Sequence, residues 1–166
     1  QGLYDISYMR SLPNLVLAAP ADLGELRGML RLGLGTDRAM AIRYPRDNVP
    51  QDDLSGDAVV ELGRGAVLRE GGDGAIIAYG CMVGPALGAA KLLSGEGIEV
   101  AVVSGRFAKP LDEALLCELA ESQPWLMTVE DGCRAGGFGS AVLEALQVRG
   151  LADRLADIIA VPDELV

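Results

Sequence analysis

The 166-residue chain contains no histidine. That absence removes the commonest general base, the commonest metal ligand and any Ser–His or Cys–His nucleophilic pair, so any proton-transfer chemistry served by this polypeptide must come mainly from elsewhere. Cysteine is scarce: Cys81, Cys117 and Cys133 are odd in number and none belongs to a Cys-x-x-Cys pair, which indicates neither a disulfide framework nor a zinc site. No run approaches the roughly 20 apolar residues of a membrane span, and no basic start followed by an apolar stretch marks a signal peptide. Positive charge is also short, with 14 Lys and Arg against 24 Asp and Glu. The net charge of −10 repels nucleic acid and anionic membranes and leaves only local basic spots for anions. No fixed-period repeat or low-complexity tract occurs, which excludes a solenoid or a disordered tail. Together these absences predict a soluble segment from a reducing cytoplasm, with no nucleic-acid or membrane partner.

Half of the residues are hydrophobic, ample for a core, and their pattern alternates between strand-like runs and helical stripes. Leu15–Ala18 reads as a strand. Asp22 followed three positions later by Glu25 reads as a cap and capping box for a helix bearing Leu23, Leu26 and Leu30, and Ala41–Tyr44 as the next strand. Gly33 and Gly35 are suitable helix terminators, and Pro45 forces Tyr44 to be extended, so these pieces form one parallel crossover unit. Between Asn48 and Asp57 the composition shifts to Pro, Gln, Asp, Ser and Gly, as in a linker. Beyond it, Ala66–Arg69 and Ala75–Tyr79 flank the glycine-rich Glu70–Gly74, which predicts a hairpin with an antiparallel edge strand. Helices over 82–94, after Asp112 and over 141–148 then alternate with strands at 99–103, 125–129 and 158–161. The expected fold class is α/β, with a mostly parallel sheet covered on both faces.

The sharpest candidate site residue is Arg46. It follows a strand end, where open α/β sheets bind ligands, and its guanidinium fork suits a phosphate or carboxylate. Arg43 falls within the predicted strand, where an ion pair to an acidic neighbour is the simpler role. If the opening stretch is helical, Tyr4 lies over Tyr8, and Asp5 beside it. Gly132–Ser140 follows a strand and precedes a helix, where exposed amides can hold an anion, but its spacing matches neither a dinucleotide fingerprint nor a P-loop. Glu130 and Asp131 are adjacent, so they point apart and read as solvated or interfacial. Arg106 and Lys109 read as tying their loop to nearby acids, with Pro110 setting a turn and Asp112 capping the next helix.

Four stretches carry a family resemblance: Gln1-Gly2-Leu3-Tyr4-Asp5-Ile6-Ser7-Tyr8-Met9-Arg10, Arg43-Tyr44-Pro45-Arg46, Lys109-Pro110-Leu111-Asp112 and Gly136-Gly137-Phe138-Gly139. Their order resembles the 1-deoxy-D-xylulose-5-phosphate synthases of the transketolase superfamily. The last two motifs also fit transketolases and 2-oxo acid dehydrogenase β subunits, and a noncatalytic α/β interaction domain is a further alternative; the opening stretch and Tyr-Pro-Arg favour the synthases. The resemblance implies the end of a pyrimidine-binding domain over 1–48, a linker over 49–57 and a transketolase C-terminal-like three-layer domain over 58–166 lacking its last segment. It implies a thiamine-diphosphate- and Mg2+-dependent transferase, a homodimer of bacterial cytoplasm rather than plastid. That enzyme condenses pyruvate with glyceraldehyde 3-phosphate for isoprenoid, thiamine and pyridoxal precursors, with cofactor and catalytic groups upstream of Gln1. The segment alone is then inactive, with no catalytic residue or metal ligand of its own. By the same resemblance Arg46 binds the acceptor phosphate, Gln1, Tyr4 and Asp5 support the active-site wall, and Gly136, Gly137 and Phe138 belong to subunit packing. Asp47 stands where the family commonly has glycine, which brings a negative charge beside that phosphate.

Overall fold

The computed structural model describes residues 2–46 and 59–162. Gln1, Asp47 and the expected linker at 49–57 lie outside the described residues.

The opening segment forms a short helix, α1 (Asp5–Arg10), then strand β1 (Leu15–Ala18), helix α2 (Leu23–Gly35) and strand β2 (Ala39–Ile42). β1 and β2 pair in parallel, as the crossover reading requires. The α2 start is built as the Asp22/Glu25 spacing predicts: the Glu25 N–H donates to Asp22 Oδ1 at 2.8 Å. The Glu25 carboxylate reaches the Ala21 N–H, also at 2.8 Å.

The second segment supplies β3 (Ala66–Arg69), β4 (Ala75–Ala78), α3 (Val83–Gly95), β5 (Ala101–Ser104), β6 (Phe107–Lys109), α4 (Glu113–Ser122), β7 (Leu126–Cys133), α5 (Phe138–Val148) and β8 (Leu155–Val161). Five of its strands form one sheet in the order β3-β5-β4-β7-β8. All neighbours are parallel except the edge strand β3, which runs antiparallel to β5. Alternate residues of the central strands face opposite layers. Ala75, Ile77, Tyr79, Ala101 and Val103 pack with Leu116, Leu119, Phe138, Val142 and Leu146 of α4 and α5. Ile76, Ala78, Val100 and Val102 pack with Val83, Ala86 and Ala90 of α3. Helices therefore cover both faces of a mostly parallel sheet.

Two expectations are corrected. β3 and β4 do not form a hairpin, because β5 lies between them. The Gly71–Gly74 turn crosses the start of β5, where Asp73 exchanges two bonds with Glu99, its N–H donating to the Glu99 carbonyl at 2.9 Å and its Oδ2 accepting the Glu99 N–H at 2.7 Å. Gly71 fits because a Cβ there would strike the Val100–Ala101 backbone. β4 is buried along its whole length, so a parallel partner on each side satisfies its backbone better than an exposed hairpin would. The second correction is β6, read from sequence as a loop. It leaves the second segment and pairs antiparallel with β1, giving a three-stranded sheet of order β2-β1-β6. Phe107 and Val60 of the second segment pack with Val16, Ala18 and Met29 of the first in one apolar cluster.

Candidate functional site

The strand ends of both sheets meet where β1, β2, β4 and β5 finish; two charged assemblies cross that junction and a third lies beside it, between β7 and α5. The deepest centres on Glu25, 0% exposed. It accepts Arg106 Nε at 2.7 Å and Ser104 Oγ at 3.2 Å, besides the Ala21 N–H. Arg106 is buried in turn, with a left-handed backbone at φ 49°, and its carbonyl accepts the Ala19 N–H at 2.8 Å. Arg106 thus ties its loop to an acid, as expected. Lys109 does not: Nζ donates instead to the carbonyls of Arg10 and Leu12 at 3.0 and 2.5 Å, because the end of α1 presents unsatisfied oxygens there.

Arg43 organises the second assembly. β2 ends at Ile42, so Arg43 stands just past the strand rather than within it, although its N–H still donates to the Ala18 carbonyl at 2.8 Å. Its side chain donates to Asp5 Oδ2 at 2.9 Å, Asp131 Oδ1 at 2.5 Å and the Gly2 carbonyl at 3.1 Å. Burial works to lower the Arg43 pKa, but Asp131 and Asp5 more than offset it and hold the guanidinium above its ordinary value. Cys81 lies against the same Asp131, and burial, aided by that carboxylate, pushes its thiol up to about 11.

The third assembly is Glu130, whose expected solvated or interfacial role is overturned. It is 3% exposed and accepts the N–H groups of Phe138 and Gly139, each at 2.8 Å. Its carboxylate therefore occupies the start of α5, where sequence reading allowed an external anion. Burial raises the Glu130 pKa, opposed by those two N–H donors. Nearby, the Tyr79 ring stacks on Phe138 with centroids 4.7 Å apart. Its fully buried hydroxyl lies beside the Ala108 backbone without reaching hydrogen-bond geometry, and burial moves its pKa upward.

Of the sequence candidates, Asp5 and Arg43 come together, and Tyr4 stands exposed at the head of α1. Arg46 is exposed four residues beyond β2, after the exposed Tyr44 and Pro45. Gly137 and Phe138 are buried inside the chain itself; a Cβ on Gly137 would collide with the Cys133 carbonyl and the Glu130 carboxylate. Gly136, half-buried with φ 70°, packs on Ser7. Sequence reading missed Asp131 and Glu130 as anchors, although both lie in the mostly buried strand β7. Among the described residues no group of three or more His, Cys, Asp or Glu is arranged to hold a metal ion, and no helix is long and apolar enough to cross a membrane.

A parallel sheet with one antiparallel edge strand, helices on both faces and the Gly-Gly-Phe-Gly turn define a transketolase-type domain. The chain belongs to the transketolase C-terminal domain family, whose model matches residues 63–164. Over its whole length it is 48% identical to the 1-deoxy-D-xylulose-5-phosphate synthases of Thermosynechococcus vestitus and Synechocystis sp., and 43% identical to that of Natranaerobius thermophilus. It covers 26% of each of these relatives, about a quarter of their length, in their C-terminal part. Among solved structures, a split-gene transketolase described as an inactive β4 tetramer superposes with a TM-score of 0.89 at 37% identity, covering all of this chain and 54% of that one.

Proposed function

We propose that this chain is the C-terminal portion of a thiamine-diphosphate-dependent 1-deoxy-D-xylulose-5-phosphate synthase, which condenses pyruvate with glyceraldehyde 3-phosphate and releases carbon dioxide. The observation that carries the reading is 43–48% identity to such synthases along the entire chain, the opening stretch and Tyr-Pro-Arg included. Thiamine diphosphate supplies the carbanion stabilisation of the reaction. The described residues do not fit that cofactor with Mg2+: they hold no metal-ligand group, and the one glycine-rich helix start is filled by Glu130. The cofactor and metal then belong to other parts of the enzyme, and this segment alone is inactive, in keeping with the inactive tetramer named for its structural neighbour.

In this reading the segment supplies acceptor recognition. Arg46 is an exposed residue beyond β2, and its guanidinium is suited to two charge-assisted bonds to the acceptor phosphate. Gln1, Tyr4 and Asp5 support the wall of the site, Asp5 with its carboxylate on Arg43. Removing one member of such a charge pair costs about 2–5 kcal/mol, so Arg46→Ala in the intact enzyme is expected to lower kcat/KM for the phosphorylated aldehyde by about 30- to several-thousand-fold. An unphosphorylated aldehyde should lose little. Equal losses for both acceptors would withdraw the phosphate role.

Homodimerisation at the Gly136–Phe138 turn is part of the same proposal. Because Gly137 and Phe138 are internal, the probe is the exposed neighbour Ala135. Ala135→Trp should weaken the dimer in sedimentation, and an unchanged equilibrium would remove the turn from the interface.

A further inference from the structure

The geometry points to Arg43 and Asp131 as positioning residues through which the C-terminal domain sets acceptor-phosphate recognition. The inference rests on the reading of Arg46 as the phosphate-binding residue and adds to it the group that aims it. Arg43 sits between two units: its backbone is hydrogen-bonded to β1, and its side chain spans to α1 through Asp5, to the Gly2 carbonyl, and to β7 of the other sheet through Asp131. Its side chain is only 13% exposed. Tyr44, Pro45 and Arg46 are all exposed, so among the described residues Arg43 is the last shielded one before the arginine that meets the ligand.

The connection between the two arginines is short and stiff. Pro45 fixes its own φ and restricts Tyr44 to an extended conformation, and three residues span at most about 10 Å. A shift of the Arg43 backbone therefore reaches Arg46 with little loss, and a misplacement of about 1 Å at a reacting or binding group is enough for roughly a hundredfold effect. The other wall of the site has independent anchors. The Leu3 carbonyl accepts the Cys133 N–H at 2.8 Å, Ser7 Oγ donates to the Ala135 carbonyl at 2.6 Å, Arg10 binds the Gly136 and Gly137 carbonyls, and Ile6 is fully buried. Loosening Arg43 thus disturbs the Arg46 loop far more than α1.

Lysine keeps the charge but not the fork that reaches Asp5, Asp131 and Gly2 together. In the intact enzyme, Arg43→Lys and the near-isosteric Asp131→Asn should each raise KM for the phosphorylated aldehyde about tenfold, with kcat and the KM for pyruvate changed less than about twofold. Combined, they should cost clearly less than the product of the single effects, because both remove the same tie. The unphosphorylated aldehyde should be used almost as before. Equal losses with both acceptors, or no loss with either, would overturn the inference. Should Arg43→Lys fail to fold, Asp131→Asn decides alone. Arg46→Ala measured alongside separates the two levels. If it keeps its preference for the phosphorylated acceptor, the reading of Arg46 fails; if it loses that preference while Arg43→Lys and Asp131→Asn retain it, only the positioning role fails.

Discussion

Glu130 is subject to opposed forces: two N–H donors at the start of α5 favour its carboxylate, and burial favours its acid. Burial dominates and the pKa rises. A carboxyl raised above its unfolded value adds stability that is complete below the ordinary carboxylate range and is lost as pH climbs through the raised value. Urea titrations between about pH 4 and about pH 8 should therefore show a stability decline that Glu130→Gln flattens; an unchanged slope would mean that other groups carry it. Glu25 presents a different balance. Its bond to buried Arg106 gains little over an apolar pair, yet Glu25→Ala strands a buried guanidinium and should cost about 3–5 kcal/mol, read from the denaturation midpoint. Cys81, lifted by about two units, should carry roughly a hundredfold less thiolate at neutral pH than an unperturbed cysteine, and its alkylation should slow accordingly.

At the level of elements, end chemistry was more legible than strand order. Asp112 was readable as a cap because its spacing to the first apolar residues of α4 is local, and its carboxylate accepts the Leu115 N–H at 3.2 Å. Asp112 also accepts the Gly65 N–H, so Asp112→Ala should cost about 1–2 kcal/mol in thermal or urea unfolding, at the upper end for a cap. The alternation of β4, α3, β5, α4, β7 and α5 was legible because apolar periodicity depends on neighbours in sequence. The insertion of β5 between β3 and β4 depends on a long-range competition for edges that the glycine turn does not reveal. β6 escaped notice because three residues followed at once by a proline show no period. Of the candidate site, an ion pair for Arg43 could be anticipated, but its partner Asp131, 88 residues away, could not. Glu130 was misread because chain adjacency to Asp131 says nothing of the helix start that folds back onto it.

Across the whole molecule, the Glu25–Arg106 and Arg43–Asp131 ties and the β1–β6 pairing bind the two segments into one structural unit, and among the described residues no group of three or more His, Cys, Asp or Glu is arranged to hold a metal ion. Calorimetric titration of the isolated chain with thiamine diphosphate and Mg2+ should accordingly show no binding; a magnesium-dependent Kd near or below about 1 µM, some 8 kcal/mol, would place the cofactor here and overturn that assignment. A groove of about 400 Å3 lies between the Ala108–Leu111 strand exit and α5, with Arg10 at its edge. Its charges are already committed, Arg10 to Glu144, Glu113 to Arg149 and Lys109 to backbone carbonyls.

The β1–β6 pairing also bears on birth of the chain at the ribosome. Lys109, which closes against Leu17, is made about ninety residues after it. At roughly 5–20 residues per second, β1 waits about 5–18 seconds with one edge unpaired. For that interval the nascent chain presents an open strand template, and chaperone engagement or mispairing between neighbouring polysomal chains has its opportunity there, before the second segment returns to close it.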